Sequence, residues 1–271
     1  PATMQTTQPI LFVPHGAPTM ALQPGAAGMA LAELGRRLTT PRAIVIISPH
    51  WMTTHPTVGY AHRPATVHDF WGFPAALYQL HYPATGCPEV ATLVSNLLQS
   101  QGLVTEQAAE QGLDHGAWIP LRLLFPEASV PVVPLSLVAN PDPRYHFQLG
   151  QALAPLAQHN ILLIASGNLT HNLRDFQVSQ RESGTDFHYV TAFSAWMAQR
   201  LAEQDLPALF DYRRQAPAAQ RAHPTDEHLL PLFIALGAAS RHHHRPQAFH
   251  RGISDAVICM DGYQWPVREN A

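Results

Sequence analysis

Lysine is absent from this 271-residue chain, and all 16 basic residues are arginine. That removes every chemistry built on a lysine amine: Schiff bases, Walker-type phosphate loops and pyridoxal phosphate anchors. Charge is scarce as well, at 13% of residues against about 25% in an ordinary soluble domain. The formal net charge of −3 offers no basic footprint for a nucleic acid. Cys87 and Cys259 are the only cysteines and lie far apart, so no disulfide framework is expected. No run of about 18 apolar residues occurs, which argues against a membrane span. Pro1 to Gln8 lacks the charged and apolar regions of a signal peptide. A cytoplasmic protein, monomeric or a small homo-oligomer, with neither nucleic acid nor membrane as partner, is the resulting expectation.

What the chain has is apolar mass, proline and histidine. Hydrophobic residues make up 46%, enough to bury a large core, and 25 prolines punctuate the elements. Strands are expected at Pro9 to Val13, Ala43 to Ile47, Val130 to Leu137, Ile161 to Ala165 and Asp255 to Met260. The runs AIVII and ILLIA are apolar on both faces, as strands covered on both sides must be. Pro131 and Pro134 point to an edge position or a bulge for the third strand. Helices are expected at Gly28 to Leu38, Glu89 to Gln101, Tyr145 to Ala157, Asp186 to Leu201 and Leu232 to Ala239. This alternation predicts one α/β domain over residues 1–271, with a mostly parallel central sheet and helices on both faces.

Histidine occurs 17 times, nearly as often as Asp and Glu together at 19. Position is more telling than number. His15 follows the first strand in VPHGAP, His50 follows the second in IISPHW, and His171 follows ILLIA in SGNLTHNL. The ends of parallel strands that lead into helices share one edge, where ligands bind in open α/β folds. His115 in GLDHGAWIP and His228 in HPTDEHLLP precede Pro120 and Pro231, which marks them as residues of loops or helix N-termini. One loop histidine is ordinarily a surface or hydrogen-bonding residue; five at element ends point to a metal site at the C-terminal edge of the strands. The run His242, His243, His244 reads instead as a solvated connection, because adjacent side chains point apart. Spacing alone leaves open whether the metal hydrolyses, oxygenates or only stabilises, so a zinc-dependent hydrolase and a non-catalytic metal-binding scaffold stand beside an oxygenase.

The motifs VPHGAP, SPHW, VHDFWGFPAALYQLHYPATG, GLDHGAWIPL, SGNLTHNL and HPTDEHLLPLFIALGA, in this order from about Pro9 to Ala239, closely resemble the class III extradiol ring-cleavage dioxygenases of the LigB type. Within them the chain looks like the DOPA 4,5-dioxygenase subgroup. The resemblance implies cleavage of a catechol ring beside its two hydroxyls, with insertion of both atoms of O2. It implies one divalent metal ion per chain, Fe(II) for activity or Zn(II), bound by His15, His50 and His228. It makes His171 the acid–base residue, which also approaches the metal as a fourth ligand when substrate is absent. His115 is then the catalytic residue that contacts substrate or oxygen. Pro49 and Ala17 stand where many members carry Ala and Ser, and Glu227 adjoins His228 where more distant relatives use a glutamate ligand. Trp51, Trp118, Phe70 and Phe73 are expected either to wall an aromatic pocket or to pack in the core. His68 and Asp69 are a candidate pair for orienting a ligand, Asp114 for fixing the tautomer of His115, and Arg174 for a substrate carboxylate or a surface ion pair.

Overall fold

A computed structural model describes residues 6–140 and 142–267; the first part of the Pro1 to Gln8 stretch lies outside them. In chain order the elements are β1 (Ile10–Pro14), α1 (Gly25–Arg37), β2 (Ala43–Thr53), β3 (Thr57–Gly59), α2 (Pro88–Ser100), β4 (Glu106–Ala108), α3 (His115–Leu124), β5 (Val132–Val138), α4 (Pro143–Leu153), β6 (Ile161–Gly167), α5 (Leu173–Arg181) and α6 (His188–Glu203). Three short helices follow, α7 (Leu206–Phe210), α8 (Tyr212–Gln215) and α9 (Ala219–Ala222), then α10 (Leu230–Ser240) and the strands β7 (Gln247–His250), β8 (Ile253–Ser254), β9 (Ile258–Cys259) and β10 (Gly262–Trp265).

Eight strands form one sheet in the order β4-β3-β5-β2-β6-β1-β10-β7. Its centre, β5-β2-β6-β1, is parallel throughout. Every residue of β1, β5 and β6 is buried, which explains their unbroken apolar runs. On one side α10 packs on β6 and β1, with α4 behind it; α3 packs on β2 and β6, with α1 behind it. All of α10 up to Ala239 is buried, so its apolar residues lie all round the helix instead of on one stripe. Its crossing with α4 is close: a Cβ on Gly237 meets the Phe147 carbonyl, and one on Gly150 meets the Ile234 carbonyl. No helix among the described residues is long and apolar enough to cross a membrane.

Three expectations need correction. The apolar segment Asp255 to Met260 is not one strand. Asp255 and Ala256 have positive φ and fold the chain into the small β8–β9 hairpin, and the last strand of the main sheet is β10, antiparallel to β1. β5 is neither an edge strand nor bulged. The Ile44 N–H reaches the Pro131 carbonyl, so alternate residues from Pro131 face β2 and Pro134 turns toward β3, which pairs only at Val58 opposite Leu135. The bulge lies on the partner: Ser48 pairs with Ser136 and Met52 with Leu137, leaving Pro49, His50 and Trp51 as extra residues of β2. Finally, α4 stops at Leu153, and Ala154–His159 continues as a 3-10 helix around Pro155, which cannot donate an α-helical hydrogen bond.

Candidate metal and active site

The histidines at the strand ends meet. His15 leaves β1, His50 sits on the β2 bulge, and His171 lies in the loop after β6. His228 enters from the segment before α10 and is tied to the end of β6, where its carbonyl accepts the Asn168 N–H at 3.0 Å. Bulges beside sites re-aim a side chain, and this one turns His50 over the sheet edge. His15 and His50 approach within 3.3 Å through their Nε2 atoms. Ring centroids are 5.1 Å apart for His15–His50, 5.1 Å for His15–His228 and 5.0 Å for His50–His228, a nearly equilateral triangle.

Two further imidazoles complete the group. His115, 6% exposed, lies 4.0 Å from His50 and 5.8 Å from His15, centroid to centroid. His171 stacks on His228 at 3.4 Å with planes 5° from parallel, and its backbone N–H donates to the Ala222 carbonyl at 2.8 Å. Two sets of donor atoms lie within 4.8 Å of one another: His15, His50 and His115 form one, and His171, Glu227 and His228 the other.

Protonation suits these rings to binding a cation. Burial, reinforced by the neighbouring imidazoles, lowers the pKa of His15 and His228 well below the ordinary histidine value. Burial also lowers His171 to about 4. All three are neutral at pH 7 and carry a free lone pair. In His15 the tautomer follows from the hydrogen bonds. Ser166 Oγ donates to the Gly116 carbonyl at 2.5 Å, so the His15 Nδ1 3.0 Å away must be the donor to Ser166. The lone pair of His15 is then on Nε2, facing His50.

That Gly116 carbonyl is free for a sequence-encoded reason. His115 is the first residue of α3, and Pro120 lies inside the helix, not at its start. Proline has no N–H for the carbonyl four residues back, which here is Gly116, and Ser166 supplies the missing donor. Neither Ser166 nor this use of Pro120 was legible in the spacing of the histidines. The only signal was that each of two serines opens a site motif, Ser166 in SGNLTHNL and Ser48 in SPHW.

Ser48 donates to Asp114 Oδ1 at 2.6 Å and accepts the His50 N–H at 3.3 Å, bracing the bulge. Burial pushes the Asp114 carboxyl up to about 6. Asp114 is thus engaged by Ser48, and the acid beside His115 is Asp69. Asp69 Oδ1 accepts the His115 backbone N–H at 2.9 Å and stands 3.0 Å from its Nδ1. His68 turns elsewhere and donates to the Leu80 carbonyl at 2.7 Å.

Of the aromatic residues, Phe70 meets His115 edge-on at 5.6 Å and is itself met by Phe73 at 5.6 Å. Trp118 is fully buried and donates to the Val67 carbonyl, so it belongs to the core. Trp51 is half-buried on the bulge, and Arg174 is exposed on α5. His223 was not singled out by its position in the sequence. It is fully buried and supports the His171 loop through a 2.6 Å hydrogen bond to the Leu169 carbonyl.

Each of the two donor sets, His15–His50–His115 and His171–Glu227–His228, could hold a divalent ion. Nitrogens about 2.0–2.1 Å from a tetrahedral ion place imidazole centroids about 5.2 Å apart, close to the observed triangle. Parallel stacked rings behave differently, because their in-plane lone pairs run side by side and do not converge.

Comparisons with known proteins place the whole fold among relatives. Residues 10–257 match the family model described as the catalytic LigB subunit of aromatic ring-opening dioxygenase. The chain is 35% identical over 258 residues to 4,5-DOPA dioxygenase extradiol of Beta vulgaris, covering 94% of this chain and 95% of the relative. It is 36% identical over 236 residues to the protein of the same name from Escherichia coli (strain K12), covering 86% of each. The crystal structure of an uncharacterized Escherichia coli K12 protein superposes with a TM-score of 0.79 at 29% identity, covering 96% of this chain and 100% of that one.

Proposed function

This chain belongs to the LigB family of aromatic ring-opening dioxygenases and is an extradiol dioxygenase, and on that premise we propose that it cleaves a DOPA-like catechol at a single divalent ion held by His15, His50 and His228. The observation that carries the ligand assignment is the triangle of ring separations between 5.0 and 5.1 Å. His115 shares a donor-atom group with His15 and His50, but its separations from the two rings are unequal, at 5.8 and 4.0 Å. We take Fe(II) as the ion for activity, with Zn(II) as an alternative occupant of the same three neutral nitrogens.

When bound, the ion supplies positive charge that lowers the pKa of the catechol hydroxyls and open positions for substrate and O2. The chain's own residues do the rest. His171 enters the reaction neutral and accepts a proton from one catechol hydroxyl. It returns that proton to an oxygen atom as the ring opens, so the product contains the whole catechol and both atoms of O2. His115 contacts the substrate or the reacting oxygen, accepting a hydrogen bond from a protonated oxygen at its Nε2. Phe70, packed edge-on against His115, offers an apolar wall for the flat ring. In this arrangement His171 serves proton transfer, and ligation by it in the substrate-free enzyme requires its stack with His228 to open.

The test is oxygen uptake with a panel of catechols, L-DOPA among them, after anaerobic reconstitution with Fe(II). A yellow ring-opened product formed with one O2 consumed per catechol supports the reading, and its absence for every catechol in the panel defeats it.

A further inference from the structure

Asp69 has no part in the mechanism so far, yet it makes the closest polar contacts to His115. One oxygen, Oδ1, receives the backbone N–H of His115 at 2.9 Å and stands 3.0 Å from its ring Nδ1. The backbone contact is a hydrogen bond that fixes the start of α3; the ring contact has hydrogen-bond distance without hydrogen-bond alignment, and Asp69 Oδ1 is the acceptor nearest to that buried nitrogen. The rest of the ring's surroundings is apolar or imidazole. Phe70 meets it edge-on at 5.6 Å, and His50 and His15 lie at 4.0 and 5.8 Å. The His115 side chain is 7% exposed, so water does little to set its protonation pattern. Asp114, adjacent in sequence, is occupied by Ser48 Oγ. An imidazole in such a site carries its proton on the nitrogen that finds an acceptor.

We propose that Asp69 is a positioning residue, holding His115 in the tautomer with hydrogen on Nδ1 so that Nε2, with its lone pair, faces the His15–His50 side of the site. This rests on the reading of His115 as a residue of the reaction. Asp69 keeps its acceptor role across the working range. Burial by itself raises its carboxyl, but the contacts with His115 outweigh burial and hold the pKa below the usual value. The consequence is a directional one: Nε2 receives a hydrogen bond from a protonated oxygen species, and no rearrangement of the ring is needed when substrate arrives.

The tautomer is read directly by nitrogen NMR of Zn(II)-loaded protein labelled with 15N in the imidazole rings, with the His115 signals assigned by their loss in His115→Gln. Wild-type protein is expected to show the Nδ1–H pattern, and Asp69→Ala to shift toward the Nε2–H form or an average of the two. Asp69→Asn, which keeps an acceptor oxygen, is expected to restore the wild-type pattern. With Fe(II)-loaded enzyme and L-DOPA, Asp69→Ala is expected to lower kcat by about 10- to 100-fold with KM changed less than about three-fold. In a His115→Gln background the same change is expected to add less than about two-fold, because its effect runs through the missing ring. An unchanged Nδ1–H pattern in Asp69→Ala overturns the proposal, as does an equal loss of kcat with and without His115. Full activity of His115→Gln defeats the role of His115 alone, while the NMR pattern still decides what Asp69 does to the ring.

Discussion

His171 and His228 lie face to face, ring centroids 3.4 Å apart and planes 5° from parallel. Two neutral imidazoles tolerate that contact, and two charged ones repel. Burial keeps both on the neutral side, lowering His171 to about 4 and His228 well below the ordinary histidine value. The stack therefore places a proton acceptor against a proposed ligand without making it one.

His171→Gln is accordingly expected to leave metal content near that of the wild type while ring cleavage falls by about 10²- to 10⁴-fold. Metal analysis and oxygen uptake on the same preparation check both halves. Turnover that survives the change refutes the acid–base assignment.

Ser166→Ala removes the acceptor for His15 Nδ1 and frees the ring to take its other tautomer. Affinity for Zn(II) is expected to drop by about 10- to 100-fold, read by competition with a chromophoric chelator. The buried hydroxyl also satisfies the Gly116 carbonyl, so some loss of thermal stability is expected in the metal-free protein too.

Stripping the ion with a chelator is expected to abolish ring cleavage and to lower Tm, because an ion that binds only the folded chain stabilises it by about 2.7 kcal/mol at a hundred-fold excess over Kd. Adding Fe(II) back without oxygen is expected to restore activity, whereas Zn(II) is expected to restore Tm alone. Equal Tm with and without metal rules out a tightly held ion.

Acid sensitivity follows from two buried histidines outside the cluster. His223 is lowered to about 3 and His146 is lowered as well, in each case by burial. Above the ordinary histidine pKa of about 6.5, both are neutral whether the chain is folded or not, and the fold loses nothing. As pH falls below that value, the unfolded chain takes up protons that the folded chain refuses. Stability is then expected to decline by about 1.4 kcal/mol per pH unit for His223, down to about pH 3, with His146 adding in the same direction. Urea midpoints between pH 7.5 and 5 test the slope, and His223→Gln is expected to flatten it.

Gly237→Ala places a methyl group against the Phe147 carbonyl at the α4–α10 crossing. The two helices must separate, and a loss of about 1–3 kcal/mol is expected in chemical denaturation, with metal affinity per folded molecule unchanged. An undiminished midpoint is incompatible with the close crossing.

Much of this protein is written locally. The runs AIVII and ILLIA announce doubly covered strands because a parallel sheet offers no wet face, and β2 and β6 occupy the sheet centre. The histidines after them fall on one edge because parallel strands all end on the same side. What could not be read locally depends on direction in space. The left-handed turn at Asp255 and Ala256 breaks an apolar run that looks continuous. Pro134 marks β5 as an edge strand, yet its missing N–H faces a neighbour that pairs at one position only. Asp114 adjoins His115 in sequence, but Asp69, 46 residues away, reaches the ring. Spacing and side-chain chemistry thus determined the sheet, the edge and the residue types gathered there. Tertiary structure alone decided which carboxylate, hydroxyl or ring meets each imidazole, because a hydrogen bond depends on distances and angles of a few tenths of an ångström and a few tens of degrees, which sequence order does not specify.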